Sequence, residues 1–173
     1  MHDHYPFTGY ILDGGKAQVT MPDGKVNERE FPSGFIAHNG NGVRHKVKNI
    51  GSNDINVILI EHKKLGSIPN FDNNVKLSAH AVSPDIYEIV HEDELIKVYT
   101  ATFPAGSSDN VHEHGMNTAY VITGGKVEIT GADGSVNERN IPDGAVLHSD
   151  KLVRHQVKNI GTTDIKVLLA EYK

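Results

Sequence analysis

The chain has 173 residues, with 17 Lys and Arg against 22 Asp and Glu, so its formal net charge is −5. A chain without a basic cluster lacks the positive face that nucleic-acid binding requires, and no apolar run reaches the roughly 18 residues of a membrane span. No apolar signal segment is visible near the N-terminus, so no membrane partner is expected and the cytoplasm is the default location. The absence of Cys excludes disulfides and thiolate ligands, whereas 11 His are present.

Residues 10–63 align without a gap on residues 120–173, at a constant offset of 110, and 28 of the 54 positions are identical. Such similarity indicates duplication of one structural unit. In each copy, short alternating apolar segments such as 44–48 and 56–60 lie between turn signals such as Asp23-Gly24. Asp-Gly and Gly-Gly favour hairpin turns because those turns need positive φ. The pattern, without a helical periodicity of ten residues or more, predicts an all-β sandwich or barrel in each half.

The segment between the copies contains Gly, Pro and a polar stretch, so we predict an N-terminal unit at 1–63, a connector at 64–90 and a C-terminal unit at 91–173. Within the connector, 75–81 resembles a strand. Residues 94–106 form an alternating strand with no counterpart before the first copy, so the first barrel is expected to lack its leading strands. Either the chain is cut from a longer one, or 75–81 or a strand swapped from a partner completes it. A homodimer is therefore expected.

A group of histidines recurs in both copies. His112 and His114 are two residues apart on a predicted strand and therefore point to the same face. With His155 from a second hairpin, they predict a facial set of three neutral nitrogen ligands for a divalent transition metal. The equivalent positions 110 residues earlier are His2, His4 and His45, which predict a second such site.

The chain resembles the cupin superfamily in both units. The first cupin motif is matched by Gly106, His112, His114 and Gly124, and the second by Gly144, His155 and Asn159. Within the superfamily, the sequence is similar to small cupins of the β-alanine degradation protein type. The resemblance implies two tandem double-stranded β-helix, jelly-roll-like barrels, often dimerised, with the metal inside.

Counting back from Gly124 places Asn117 at the family's Glu ligand, and Phe7 stands there in the first unit. Asn117 is then at most a weak fourth ligand, and Phe7 narrows the first site. Iron, nickel, manganese, zinc and copper all suit imidazole ligands. Three neutral ligands leave the metal charge uncompensated, which favours a small anionic organic ligand.

The roles of several other side chains are predicted from their positions. His148, equivalent to His38, is a candidate catalytic proton carrier, or a hydrogen-bonded histidine lining the barrel. Asn49 and Asn159 are interpreted as turn caps, and Glu61 and Glu171 as charges at strand ends.

Three functions remain open at this point. The first is a dioxygenase-like oxidoreductase with an open three-histidine site, and the second is a non-catalytic protein that binds metal or a small ligand. The third is a metal-dependent isomerase or lyase, in which the metal acts as a Lewis acid.

Overall fold

The computed structural model describes residues 1–62 and 74–173. The chain divides into two compact units, Met1–Pro69 and Asn70–Lys173. Both are built almost entirely of antiparallel strands, as the sequence predicts.

Within residues 1–62, the first unit contains seven strands in two sheets, ordered β1-β6-β3-β4 and β5-β2-β7. The strands are β1 (His2–His4), β2 (Phe7–Asp13), β3 (Gly15–Thr20), β4 (Val26–Phe31), β5 (Ile36–Asn39), β6 (Val43–Asn49) and β7 (Asn56–Glu61).

The part of the second unit that the structure describes, residues 74–173, contains nine strands and one short helix, with sheets ordered β10-β15-β12-β13 and β14-β11-β16-β9-β8. The elements are α1 (Ala79–Val82), β8 (Tyr87–Glu92), β9 (Ile96–Phe103), β10 (His112–His114), β11 (Asn117–Thr123), β12 (Gly125–Gly131), β13 (Val136–Ile141), β14 (Val146–Ser149), β15 (Val153–Asn159) and β16 (Ile165–Tyr172).

The predicted Asp-Gly turns are present in both units. Gly24 and Gly134 have φ of 85° and 80°, a region that glycine enters without steric cost. At Gly124 the requirement is space, because a Cβ there would collide with the carbonyl oxygen of Ile141. Glycine thus serves two different purposes in these turns.

The two units differ in how far the inner sheet face is covered. In the second unit, β9 pairs with β16 from Phe103 opposite Ile165 to Ile96 opposite Tyr172, and its apolar side chains fill the core between the sheets. Leu169 on β16 is therefore only 6% exposed, whereas Leu59, at the equivalent position on β7, is 40% exposed. The sheet that contains β7 has three strands, so the first unit lacks the counterparts of β8 and β9 within residues 1–62.

The segment predicted as a connector is only partly described, because residues 64–73 lie outside the described part of the chain. The alternating segment 94–106 forms β9, as predicted. The strand predicted at 75–81 is wrong: Ser78 makes one isolated bridge to Glu113 and is followed by the helical turn α1. Part of the predicted connector, 79–82 and 87–90, belongs to α1 and β8, and the domain boundaries stay predictions.

The helices found in residues 1–62 and 74–173 do not include one that is long and apolar enough to cross a membrane.

Asn159 joins the end of β15 to β9. Its side chain is fully buried, and its amide donates to Phe103 O at 2.9 Å and Thr163 O at 2.8 Å, while its oxygen accepts from Gly161 N at 2.9 Å. The turn-capping prediction is thus confirmed, with an added bond to β9.

We expect Asn159→Ala to lower the free energy of unfolding by roughly 2–4 kcal/mol, because it leaves buried backbone groups without partners. The matched variant is Asn49→Ala, which removes the exposed first-unit cap to Gly51 N and Asn53 O and should cost about 1 kcal/mol. Urea denaturation followed by circular dichroism measures both, and equal losses would contradict the role assigned to burial.

Candidate metal centre

Three histidines of the second unit converge in the structure, as their spacing predicts. β10 and β15 are antiparallel, with His112 opposite His155, and His114 lies two residues along the same face of β10. His112 Nε2 lies 2.9 Å from His114 Nε2 and 3.0 Å from His155 Nε2. Three ring nitrogens, one from each of these residues, lie within 4.8 Å of one another. We call these residues the second-unit trio.

The tautomers of two trio members follow from their hydrogen bonds. His112 Nδ1 lies 2.9 Å from Asn110 O, and a carbonyl only accepts, so Nδ1 carries the hydrogen. His114 Nδ1 lies 3.0 Å from Glu171 Oε2 and donates to that carboxylate. In neutral rings both Nε2 atoms therefore carry lone pairs, and they face each other at 2.9 Å. Two facing lone pairs repel each other, so this arrangement suits a cation bound by both.

The separations of the nitrogens also fit a metal. Two nitrogen ligands about 2.1 Å from a metal and at right angles lie about 3.0 Å apart, whereas tetrahedral ligands lie about 3.4 Å apart. The distances of 2.9 and 3.0 Å from His112 Nε2 to the other two nitrogens match neighbouring ligands at right angles around one ion. That geometry leaves further coordination positions for ligands.

Two rings of the trio, those of His112 and His155, are neutral at physiological pH. Burial, together with the neighbouring rings of the trio, lowers the pKa of His112 to about 3. Burial and the charge of His114 lower the pKa of His155 to about 4. Metal binding requires neutral imidazole, so neither ring must lose a proton at pH 7 to bind.

Glu113, the residue between the two histidines of β10, points away from the trio, as strand alternation predicts. Its carboxylate accepts hydrogen bonds from the backbone of Lys76 and Leu77 and from Arg154. These contacts fix β10 from its outer side.

Glu171 lies at the end of β16, as predicted, and is also a partner of the trio. Its side chain is only 10% exposed and accepts from His114 Nδ1. Glu61 has the equivalent contact with His4 Nδ1, at 2.6 Å. A carboxylate behind a ligating histidine orients the ring and increases its basicity. Both glutamates lie at strand ends, as predicted, but their contacts with His4 and His114 cross to another strand and were not predicted.

Tyr87 and Asp109 also lie beside the trio, and the sequence analysis did not predict them. The Tyr87 hydroxyl donates to Asp109 Oδ2 at 2.9 Å and lies 3.3 Å from His112 Nε2. Asp109 Oδ1 accepts from Val157 N at 2.7 Å, which fixes the carboxylate. Burial and the Asp109 charge raise the pKa of Tyr87 well above its usual value. For Asp109, the only signal in the sequence was its place three residues before His112. Tyr87 gave no signal, because it lies in the segment predicted as a connector.

A cavity of about 240 Å³ lies between the two sheets of the second unit. Its walls are mainly Ala, Val, Ile, Leu and Phe side chains, and its polar lining comes from Tyr87, His114, Asn117, His148, Ser149 and His155. A space of this kind suits a small organic molecule next to the trio.

Two further predicted site residues differ in position. Asn117 is buried, lines the cavity and donates its amide to Gly115 O at 2.8 Å, and its ligand role stays a prediction. His148 is exposed, and its Nδ1 lies 2.9 Å from Thr118 Oγ1. The structure does not bring it into the trio, and its catalytic role stays a prediction. His38 makes the equivalent contact with Thr8 Oγ1 at 3.1 Å.

The first unit brings His2, His4 and His45 together in the same register, with His2 opposite His45. His2 Nε2 lies 2.9 Å from His4 Nε2, and burial is the main cause that lowers the pKa of His45. The neighbouring cavity is about 930 Å³. His2 is exposed where His112 is fully buried, and the Phe7 ring lies 5.3 Å from that of His4. The first site is thus more open to solvent.

No protein-family model matches the sequence, and no curated protein matches it either. The chain is similar in structure to AerE from Microcystis aeruginosa, with a TM-score of 0.69, 13% identity, and coverage of 100% of this chain and 81% of AerE. It is also similar to a deletion mutant of the oxalate decarboxylase OxdC from Bacillus subtilis, with a TM-score of 0.62, 16% identity, and coverage of 98% and 64%.

A third match, to a cupin domain from Bordetella pertussis, covers 51% of this chain and 92% of that protein, with a TM-score of 0.47 and 24% identity. At these identities the matches concern the fold, which is that of a cupin with two units. The β-alanine degradation protein type stays a prediction.

We expect Glu171→Gln to weaken metal binding in the second unit by roughly tenfold, because the amide is a poorer acceptor for His114 Nδ1–H. Isothermal titration with Zn²⁺ or Mn²⁺ measures this in a His2→Ala/His4→Ala background, which removes the first site. The control is Glu138→Gln, an exposed residue of β13 that pairs with Lys126. Equal affinities of the two variants would contradict the role of Glu171.

The lowered pKa values predict that acid destabilises the metal-free protein. Between about pH 6.5 and 4 the unfolded chain binds protons at His112 and His155 that the folded chain does not, so stability is complete above pH 6.5 and falls as the pH decreases. Burial raises the pKa of Asp109 to about 6, and this single carboxyl gains stability as the pH falls. The two histidines lose stability over the same range and outweigh it.

The measurement is the melting temperature in EDTA from pH 7.5 to 4, for the wild type and for His112→Asn/His155→Asn. The wild type should lose stability more steeply with acid than the variant, and parallel curves would contradict the assignment.

Proposed function

We propose that this chain, which has the cupin fold in two units, is a metal-dependent oxidoreductase of dioxygenase type acting on a small anionic organic molecule. The observation that carries the proposal is the convergence of His112, His114 and His155 beside a small, mainly apolar cavity. The second unit is the proposed catalytic site, because His112 and His114 are buried and its cavity is the smaller of the two beside the histidine sites.

Each residue has a task in the proposed site. His112, His114 and His155 would hold the metal, and the Asn110 carbonyl and Glu171 keep two of the rings oriented with Nε2 toward it. Iron, manganese, nickel, copper or zinc would suit these ligands. The metal would supply Lewis acidity and, for iron, manganese or copper, electrons.

The chain itself selects the class of substrate. The three donor atoms are neutral, so a bound divalent ion keeps a positive charge that attracts a carboxylate or enolate. The apolar walls exclude water and strengthen that attraction. About 240 Å³ restricts the substrate to a small molecule. Oxalate decarboxylase of Bacillus subtilis, for which Mn(II) centres are named, shares the two-unit fold at 14% identity, and a small carboxylate belongs to the proposed substrate class.

His148 is the proposed proton carrier. It lines the cavity and is exposed, so it could exchange protons between the cavity and solvent. Its contact with the Thr118 hydroxyl holds the ring on β14.

A non-catalytic ligand-binding protein is the second candidate. It is favoured by the cavity lining, in which no Asp or Glu is found among the described residues. Such a site can hold an anion on a metal without acid or base groups for turnover. A metal-dependent isomerase or lyase is the third candidate and needs no oxygen. The homodimer also remains a proposal.

The test is oxygen uptake and product analysis with a panel of small carboxylates and enolizable acids, after reconstitution with Fe²⁺ without oxygen and, separately, with Mn²⁺, Ni²⁺, Cu²⁺ or Zn²⁺. We expect substrate-dependent uptake that falls at least about 100-fold in His112→Ala/His114→Ala, because the metal is lost. The matched control is His2→Ala/His4→Ala, which should retain the activity.

Other results would redirect the assignment. Product without oxygen uptake would indicate an isomerase or lyase, and tight binding without turnover a ligand-binding protein. A wild-type protein that takes up no metal would overturn both enzyme proposals and leave a protein that binds a small ligand without metal.

A further inference from the structure

The Tyr87 hydroxyl lies beside the second-unit trio, next to His112. Its Oη is 3.3 Å from His112 Nε2, the atom that also lies 2.9 Å from His114 Nε2 and 3.0 Å from His155 Nε2. The Tyr87 ring is 5.3 Å from the His112 ring and 6.1 Å from the His114 ring, measured between centroids. Tyr87 is 4% exposed and lines the cavity, so its hydroxyl is confined to this position.

The contact between Tyr87 Oη and His112 Nε2 has no hydrogen to hold it. The tyrosine hydrogen is donated to Asp109 Oδ2 at 2.9 Å, and the His112 hydrogen is on Nδ1, donated to Asn110 O. Both facing atoms therefore present lone pairs. Asp109 is itself fixed by the backbone N–H of Val157, which keeps the tyrosine hydrogen turned away from the trio.

We propose that Tyr87 is a fourth protein ligand of the second-unit metal and binds it through Oη. This inference rests on the proposed function, because it needs the trio to hold a metal. The separation of 3.3 Å between Oη and His112 Nε2 suits two neighbouring ligands of one ion with bonds slightly longer than 2.1 Å. In an octahedral ion, four protein ligands leave two positions, enough for a substrate that binds through two atoms.

The fourth ligand comes from an element with no counterpart in the first unit. Tyr87 lies on β8, at the edge of the five-stranded sheet, whereas the matching sheet of the first unit ends at β7 within residues 1–62. The first site has the Phe7 ring beside His4 instead. The two histidine sites therefore differ in ligand set, and the first provides an internal comparison without tyrosine.

Ferric iron reports a tyrosine ligand directly. On binding, Fe³⁺ forms a bond to Oη and the O–H bond breaks, with the proton passing to the Asp109 carboxylate along the existing hydrogen bond. A phenolate bound to Fe³⁺ gives a visible charge-transfer band and enhanced ring vibrations in resonance Raman spectra. Neither signal arises from histidine ligands alone.

The experiment titrates Fe³⁺, and separately Zn²⁺, into the full chain carrying His2→Ala/His4→Ala, so that only the second unit binds. Variants Tyr87→Phe and Tyr120→Phe are compared in that background. Tyr120 is the control because it alternates with the cavity-lining Ala119 and Val121 on β11 and its hydroxyl lies near Gly144. Circular dichroism confirms folding.

We expect the charge-transfer band in the parent and in Tyr120→Phe, and its loss in Tyr87→Phe with at least about tenfold weaker Fe³⁺ binding. The parent's Raman bands, shifted by ring-deuterated tyrosine, establish tyrosine as a ligand even if Tyr87→Phe does not fold. The inference is overturned if the parent binds Zn²⁺ but shows no band with Fe³⁺, or if the band persists in folded Tyr87→Phe. Either result leaves the metal site standing. If the parent binds neither ion, the proposed function fails as well.

Discussion

The second unit depends on one constraint, the crowding of imidazole nitrogens around His112 Nε2, which in neutral rings faces His114 Nε2 at 2.9 Å without a hydrogen between them. The β10–β15 register places His112 against His155, and hydrogen bonds to Asn110 O and Glu171 turn the lone pairs of His112 and His114 toward each other. Burial prevents relief by water or by protonation. A protein interior tolerates such repulsion when the groups serve a shared cation, which is why the surrounding contacts are best understood as supports of a metal site.

The three-histidine arrangement has different consequences in the two units because of one sheet. Among the described residues, the sheet β5-β2-β7 of the first unit has three strands, whereas the matching sheet β14-β11-β16-β9-β8 of the second has five. In the second unit, β8 and β9 cover the inner face, so His112 and His114 are buried and the cavity is small. In the first unit, Leu59 and Val57 stay exposed and His2 is in contact with solvent. Water weakens electrostatic attraction, so an anion on a first-unit metal would be held less strongly. Strand β8 also supplies Tyr87, so the second unit has a hydroxyl group beside its histidines.

Parts of the site could be predicted because strand geometry is periodic. Residues two apart on a strand share a face, which placed His112 and His114 together, and the offset of 110 located His2, His4 and His45. Glu171 could not be recognised in this way, since its partner is 57 residues away on another strand. The helical turn α1 replaced a predicted strand because short apolar segments satisfy either conformation, and packing decides between them.

The sequence by itself determined the all-β class, the two similar units and the histidines available for a metal, since these follow from turn residues, alternation and internal similarity. Only the tertiary structure decided which groups surround those histidines. Tyr87 and Glu171 reach the trio from strands that are distant in the sequence, and nothing local in the sequence encodes such long-range proximity. It arises when two sheets pack face to face and bury one common interior, which brings distant residues to a single point.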